Sequence, residues 1–316
     1  MDFIKLIREK AALLNKTIVL PRSSDPRVQE AAKFLLENNL CKIILIDNGV
    51  SVPEELESVL INPSSNTQLR KYATSFYEKR KHKGITLEQA LEVVKDPLYF
   101  GASMIAEGDA DSCVAGSVST TGDVLRAAIQ TIGLKPGSTV VSSIFLMCLT
   151  DGRVFSYGDC AVVPYPTSDQ LASIAIDSAS SHKAVTGETP NVAMLSFSTK
   201  GSAKHEQVEL VRGAYEIAKG RQPELNIDGE LQFDAALLKE VGTRKAPGSI
   251  VAGNANVFIF PNLDAGNIAY KITERLARAS AIGPLIQGLN KPMMDLSRGC
   301  SWEDIVNTSC LAALMS

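Results

Sequence analysis

Ten residues near the C-terminus, Asp295-Leu296-Ser297-Arg298-Gly299-Cys300-Ser301-Trp302-Glu303-Asp304, hold an acid, a hydroxyl, a fixed cation, a thiol and a second pair of acids. The Arg298 guanidinium is a planar fork suited to a phosphate or carboxylate. The stretch lies between two apolar segments, residues 281–289 and 305–315, so it reads as a turn entering a helix. The first amides of a helix have no intrahelical partner and the dipole is positive there, which gathers anions. Ser301 to Asp304 also fits the Ser/Thr-x-x-acid pattern of a capping box, in which Asp304 only reaches back to the Ser301 amide. On local chemistry the two readings stand side by side.

Three further stretches could hold an anionic ligand. Gly116-Ser117-Val118-Ser119-Thr120-Thr121-Gly122 follows a small-residue strand and precedes a helix over 123–132 that carries Arg126. Strand, hydroxyl-rich loop, helix is a geometry that cradles anions with backbone amides, so Ser119, Thr120 and Thr121 are candidate ligands. The loop lacks both the Lys-Ser/Thr of a P-loop and the G-x-G-x-x-G spacing of a dinucleotide turn. Ser198-Thr199-Lys200-Gly201-Ser202 forms a second hydroxyl-rich loop, between a strand over 192–197 and a helix expected from about residue 203. Finally, Tyr77-Glu78-Lys79-Arg80-Lys81-His82-Lys83-Gly84 is the most basic patch of the chain. It is either a solvated helix end, its cations complementing the dipole before Gly84, or a set of cations facing a polyanion.

These stretches need a scaffold, and the pattern predicts one. Strands over 17–20 and 42–47 alternate with helices over 3–14 and from Pro26 to about residue 37, the second started by the Asp25 cap and Pro26 and ended at Asn38-Asn39. Such alternation indicates an α/β fold with mainly parallel sheets, whose ligands gather at the carboxyl ends of the strands. In the helix over 264–279, Ile268, Ile272 and Leu276 recur every four residues and predict a buried stripe. A chain of 316 residues exceeds the size of one hydrophobic core. Lys135-Pro136-Gly137-Ser138 and Leu289-Asn290-Lys291-Pro292 read as linkers. The expected organisation is therefore a discontinuous first α/β domain, residues 1–137 plus 290–316, and a second α/β domain, residues 138–289, with the tail motif near an interdomain active-site cleft.

Composition narrows the class. Aromatic residues are 6 % and charged residues 21 %, and 32 basic against 35 acidic residues leave a net charge of −3 without long runs of one sign. Nucleic acid and an anionic membrane are not the expected partners. Six scattered cysteines form no C-x-x-C and three histidines lie far apart, so no metal site is expected. The N-terminus is amphipathic without the apolar block of a signal peptide, which places the chain in a reducing cytoplasm with free thiols.

The tail motif together with Ser196-Phe197-Ser198-Thr199-Lys200-Gly201-Ser202-Ala203, Asp228-Gly229-Glu230-Leu231-Gln232, Ala246-Pro247-Gly248-Ser249, Ala255-Asn256-Val257-Phe258-Ile259-Phe260-Pro261 and Gly266-Asn267-Ile268-Ala269-Tyr270-Lys271 resembles the phosphate acetyltransferases, or phosphotransacetylases. The resemblance runs from near the N-terminus to the last helix. It implies two α/β domains, a homodimer, no prosthetic group, and coenzyme A, acetyl phosphate and phosphate as small-molecule substrates. The implied reaction is reversible acetyl transfer, acetyl-CoA plus phosphate giving acetyl phosphate plus CoA. By the same resemblance Ser297, Arg298 and Asp304 are the catalytic set, and Arg80 and Arg126 bind substrate. Trp302 and Ala127 depart from the pattern, without removing a catalytic group. In the implied mechanism Asp304 takes the proton of the CoA thiol, the thiolate attacks acetyl phosphate directly, and Ser297 and Arg298 stabilise the developing anion. Cys160 and Cys300 admit a ping-pong route, but neither has a histidine nearby in sequence. Alternatives are a phosphate butyryltransferase, a nicotinamide-dependent decarboxylating dehydrogenase, for which no aspartate cluster or dinucleotide turn is visible, and a non-catalytic acyl-phosphate sensor.

Overall fold

Short runs of β-branched and small apolar residues form the strands, and capped amphipathic segments return the chain between them. The computed structural model describes residues 3–316. In chain order it begins α1 (Phe3–Leu14), β1 (Thr17–Leu20), α2 (Pro26–Glu37), β2 (Lys42–Ile46), α3 (Glu54–Glu57), β3 (Leu60–Ile61), α4 (Leu69–Arg80), α5 (Leu87–Val94), α6 (Pro97–Ala106), β4 (Ser112–Ala115) and α7 (Thr121–Thr131). It continues through β5 (Ser142–Cys148), β6 (Val154–Gly158), α8 (Ser168–Thr186), β7 (Asn191–Leu195), α9 (Glu206–Arg221), β8 (Asn226–Leu231), α10 (Phe233–Leu237), α11 (Lys239–Lys245), β9 (Val257–Ile259), α12 (Leu263–Leu276) and β10 (Ser280–Gln287). It ends with β11 (Met293–Asp295) and α13 (Trp302–Leu314). Two units separate: residues up to Lys135 together with Leu289–Ser316, and Pro136–Gly288.

The first unit is built on a five-stranded sheet in the order β11-β4-β1-β2-β3, with every neighbouring pair parallel. β1 starts the sheet, β2 and β3 extend it on one side, and β4 and β11 are added on the other. The direction of winding therefore reverses between β1 and β4, the position at which an open parallel sheet leaves a crevice beyond its strand ends. Helices α1, α2 and α13 pack on one another, as do α4 to α7, and both groups touch the sheet. β11 has only three residues and is not foreseen in the sequence; its strand character comes from pairing Met293, Met294 and Asp295 with Cys113, Val114 and Ala115.

The second unit has a six-stranded sheet ordered β10-β5-β6-β9-β7-β8. The β10–β5 and β5–β6 pairs are antiparallel, while β6, β9, β7 and β8 are parallel. Successive residues serve opposite faces, as the pleat requires. Ala193, Leu195 and Phe258 join an aromatic-rich core with Phe145, Phe155 and Tyr157, whereas Val192, Met194, Val257 and Ile259 join an aliphatic core with Leu171 and Ile174 of α8 and Val211 of α9.

Two sequence expectations need correction here. The stripe of Ile268, Ile272 and Leu276 on α12 is exposed at 58, 52 and 81 %, respectively. The face that packs on the aromatic core carries Ala265, Ala269 and Tyr270, and a Cβ on Gly266 would lie 2.2 Å from the Asp159 carbonyl oxygen. Two stripes share the same four-residue spacing, and close backbone approach selects the one with small residues. The second hydroxyl-rich loop also does not open directly into a helix: α9 begins at Glu206, capped by His205.

Candidate active site

Three turns leave the carboxyl ends of the adjacent strands β1, β4 and β11, and each enters a helix. Residues 21–25 lead to α2, residues 116–120 to α7 and residues 296–301 to α13. Each helix is capped by a side chain from its turn: Asp25 accepts from the Arg27 amide, Thr120 from Asp123, and Ser301 from Asp304. The sheet order thus places three helix N-termini side by side at the reversal of winding.

The turns are tied together by Arg27, which the sequence did not single out. Its Nε donates to Asp25 Oδ1 at 3.1 Å and its Nη2 to Asp25 Oδ2 at 2.9 Å. Nη2 also reaches the Ser117 carbonyl at 2.9 Å, and Nη1 reaches the carbonyls of Arg298 and Cys300, both at 2.8 Å. Asp25 is buried at 6 % exposure. Burial pushes its carboxyl upward, but hydrogen bonds from Arg27 and Ser117 and the Arg27 charge outweigh that and hold it below the ordinary value. A second arginine, Arg22, donates from Nε to Ser119 Oγ at 3.3 Å.

Asp295 ends β11 almost fully buried, and its Oδ1 has no hydrogen-bond partner among the described residues. Burial raises its pKa, opposed by a hydroxyl contact from Thr121 and by the Arg298 charge. Beside it Gly116 adopts φ +98°, and an added Cβ would lie 2.3 Å from the Leu296 amide nitrogen and carbonyl oxygen and 2.5 Å from Asp295 Oδ1. Only glycine meets both demands. Gly116→Ala is expected to lower the unfolding free energy by about 2 kcal/mol or more, read by urea denaturation; a midpoint equal to that of the parent would mean that the turn relaxes freely.

In the tail turn Ser297, Arg298 and Gly299 are exposed, and the Ser297 hydroxyl accepts from the Gly299 amide at 3.2 Å. The Arg298 guanidinium makes no hydrogen bond or close ion pair among the described residues. The capping box foreseen in the sequence forms: Asp304 Oδ2 accepts from the Ser301 amide at 2.8 Å, and the Asp304 amide donates to Ser301 Oγ at 3.1 Å. Asp304 Oδ1 is left without a hydrogen-bond partner among the described residues. Trp302 rests on Phe34 of α2, ring centroids 5.3 Å apart, and so anchors the start of α13. Burial pushes the Cys300 thiol up; the nearby Arg27 charge pulls it down, and Asp304 and Asp25 add to the rise.

Thr120 and Thr121 are exposed at the start of α7, whereas Ser119 is buried beneath them. Arg126, one turn further, pairs with Asp123 at 2.9 Å. Arg80 ends α4, which packs on α7; its neighbour Lys79 donates to the Thr131 carbonyl at 2.5 Å. Burial raises the pKa of the half-buried Tyr99, and the charges of Arg126 and Arg80 oppose that rise.

The remaining candidates belong to the second unit. Ser198 and Thr199 are buried and Lys200 is exposed. Ser198 Oγ donates to Glu230 at 2.9 Å, Thr199 Oγ1 accepts from the Gln232 amide at 2.9 Å, and Lys200 pairs with Asp228 and donates to the Gly229 carbonyl at 3.0 Å. The loop is thereby fastened to the acidic end of β8. Among the described residues no group of His, Cys, Asp and Glu could hold a metal ion.

The family model for phosphate acetyl/butaryl transferase matches residues 2–313. A phosphate acetyltransferase of Thermoanaerobacterium thermosaccharolyticum is 49 % identical over 327 aligned residues, covering all of both chains. Among solved structures, the EutD phosphotransacetylase from Staphylococcus aureus matches with a TM-score of 0.91 at 42 % identity, covering 99 % of this chain and 98 % of that one. A phosphotransacetylase from Streptococcus pyogenes matches with a TM-score of 0.92 at 43 % identity, covering 99 % and 97 %. The turns at the reversal of winding, the freely presented Arg298 and the capped but half-unpartnered Asp304 thus belong to a member of the phosphate acetyl/butaryl transferase family.

Proposed function

We propose that the chain catalyses reversible acetyl transfer between coenzyme A and inorganic phosphate, by direct attack in a ternary complex with Asp304 as the base. The observation that carries this reading is the division of the Asp304 carboxylate. Oδ2 is taken up by the capping box, and Oδ1 has no hydrogen-bond partner among the described residues. The cap and the base therefore do not compete for the same atom. The thiol proton of CoA passes to Oδ1, the sulfur bonds to the acetyl carbon, and the bond from that carbon to the phosphate oxygen breaks. Ser297 and the exposed fork of Arg298 stabilise the oxyanion and the departing phosphate. In the reverse direction phosphate attacks and the Asp304 carboxylic acid returns the proton to the thiol. Burial holds the thiols of Cys160 and Cys300 above their ordinary value, which keeps thiolate scarce and disfavours an acetyl-cysteine intermediate.

Arg80, Arg126, Ser119, Thr120 and Thr121 are proposed to bind the phosphates of CoA or acetyl phosphate in the first unit, and Ser198, Thr199 and Lys200 are retained as substrate-binding residues of the second. No prosthetic group is required. The decisive assay is release of CoA from acetyl-CoA as a function of phosphate. Saturable phosphate dependence is expected; release that ignores phosphate would sink the reading. A parallel series with butyryl-CoA tests the phosphate butyryltransferase alternative, since acyl length is set by pocket volume.

The exposed stripe of Ile268, Ile272 and Leu276 supports a homodimer, because contiguous apolar surface of this kind is normally covered and closed symmetric pairs are the commonest way to cover it. Ile272→Asp is expected to turn a dimer into a monomer in light scattering after size exclusion; a variant that stays dimeric moves the interface elsewhere. All six cysteines are free, which suits a reducing cytoplasm. No helix among the described residues is long and apolar enough to cross a membrane.

A further inference from the structure

We infer that Arg27 is a positioning residue of the transfer reaction, a clamp that sets the tail turn rather than a ligand of substrate. The inference rests on the acyl-transfer reading above. A guanidinium has five N–H donors, and here all five are used. Nε and one hydrogen of Nη2 go to the two carboxylate oxygens of Asp25, the other hydrogen of Nη2 to the Ser117 carbonyl, and the two hydrogens of Nη1 to the carbonyls of Arg298 and Cys300. No donor remains for an anion in solution.

The acceptors lie in three turns, after β1, β4 and β11, separated from Arg27 by 2, 90, 271 and 273 residues. Two of them, the carbonyls of residues 298 and 300, flank Gly299 and accept from the same nitrogen. That shared nitrogen fixes the peptide path on both sides of Gly299. The path sets the direction of the Arg298 side chain and the start of the Ser301 cap that holds Asp304. Asp25 is what makes the clamp rigid: a buried carboxylate with a bidentate hold on the fork leaves Arg27 little freedom to turn. A lysine at this position would keep the charge but offer three donors from one point, which cannot reach both the Ser117 carbonyl and the two tail carbonyls. Geometry lost by about 1 Å at a reacting group costs on the order of 10² in rate.

The experiment compares the parent chain with Arg27→Lys and Arg27→Gln, measuring kcat for phosphate-dependent acetyl transfer, the Kd for CoA by calorimetry, and thermal unfolding. Absence of transfer in the parent chain would refute the proposed function and is seen before any variant is made. With an active parent, kcat is expected to fall about 10- to 100-fold in both variants, while the Kd for CoA stays within about threefold. Guanidinium at a non-denaturing concentration should restore part of kcat in Arg27→Gln, with the same concentration of sodium chloride as the control. A kcat per folded molecule equal to that of the parent would overturn the inference, because the clamp would then serve stability alone. A loss confined to CoA affinity would overturn it in the other direction and make Arg27 a substrate ligand. If Arg27→Gln does not fold, Arg27→Lys, which keeps the ion pair with Asp25, carries the same two criteria.

Discussion

Asp304→Asn should lower kcat by about 10² to 10⁴ while the Kd for CoA changes by less than about threefold. Asparagine keeps a carbonyl oxygen at the third helical position, so it can still accept from the Ser301 amide, and the Ser301 hydroxyl still accepts from residue 304. Helix α13 therefore keeps its start, and thermal unfolding should shift little. What disappears is the ionised oxygen that could take the thiol proton. Truncation to alanine would remove the reciprocal half of the capping box together with the base, the Ser301 hydroxyl still accepting from the residue 304 amide, and is the less informative variant. A kcat for Asp304→Asn close to that of the parent would return Asp304 to the role of a cap and leave the thiol proton without a recipient.

How far this site could be read in the sequence differs from residue to residue, for physical reasons. Features encoded locally were legible. Asp25-Pro26 starts α2 where expected, Gly84 supplies the left-handed residue after the basic helix end, and the spacing from Ser301 to Asp304 makes the box it suggests. Features that arise only when distant segments meet were not. β11 is three residues long and is a strand only because β4 lies beside it. The exposed and packed faces of α12 have the same period, and the choice between them depends on how closely Gly266 approaches the carbonyl of Asp159. Arg27 sits two residues from Asp25 and looks like an ordinary surface arginine of a first helical turn. Its other bonds span 90 residues or more, so no local pattern betrays them. The signal available was indirect: several hydroxyl-rich or acidic turns, all following strands, must converge if the sheet is parallel.

Arg298 is the second residue whose loss should be severe, and its chemistry is separable from that of Asp304. Its backbone carbonyl is gripped by Arg27, while its side chain is exposed and makes no hydrogen bond or close ion pair among the described residues. Burial raises the pKa of Asp295, and the Arg298 charge opposes that rise. Arg298→Ala is expected to reduce kcat/KM by about 10² to 10³, the range for removing a principal donor to a developing oxyanion. Arg298→Lys keeps the charge and loses the fork, and should still fall by about 10-fold or more. Full activity in the lysine variant would show that charge alone suffices and that two-point contact with the acyl phosphate is not made. Combined with Asp304→Asn, the loss should be smaller than the product of the single losses, because each residue acts on the same transition state. Strict multiplicativity would mean that the two residues contribute independently and are not coupled.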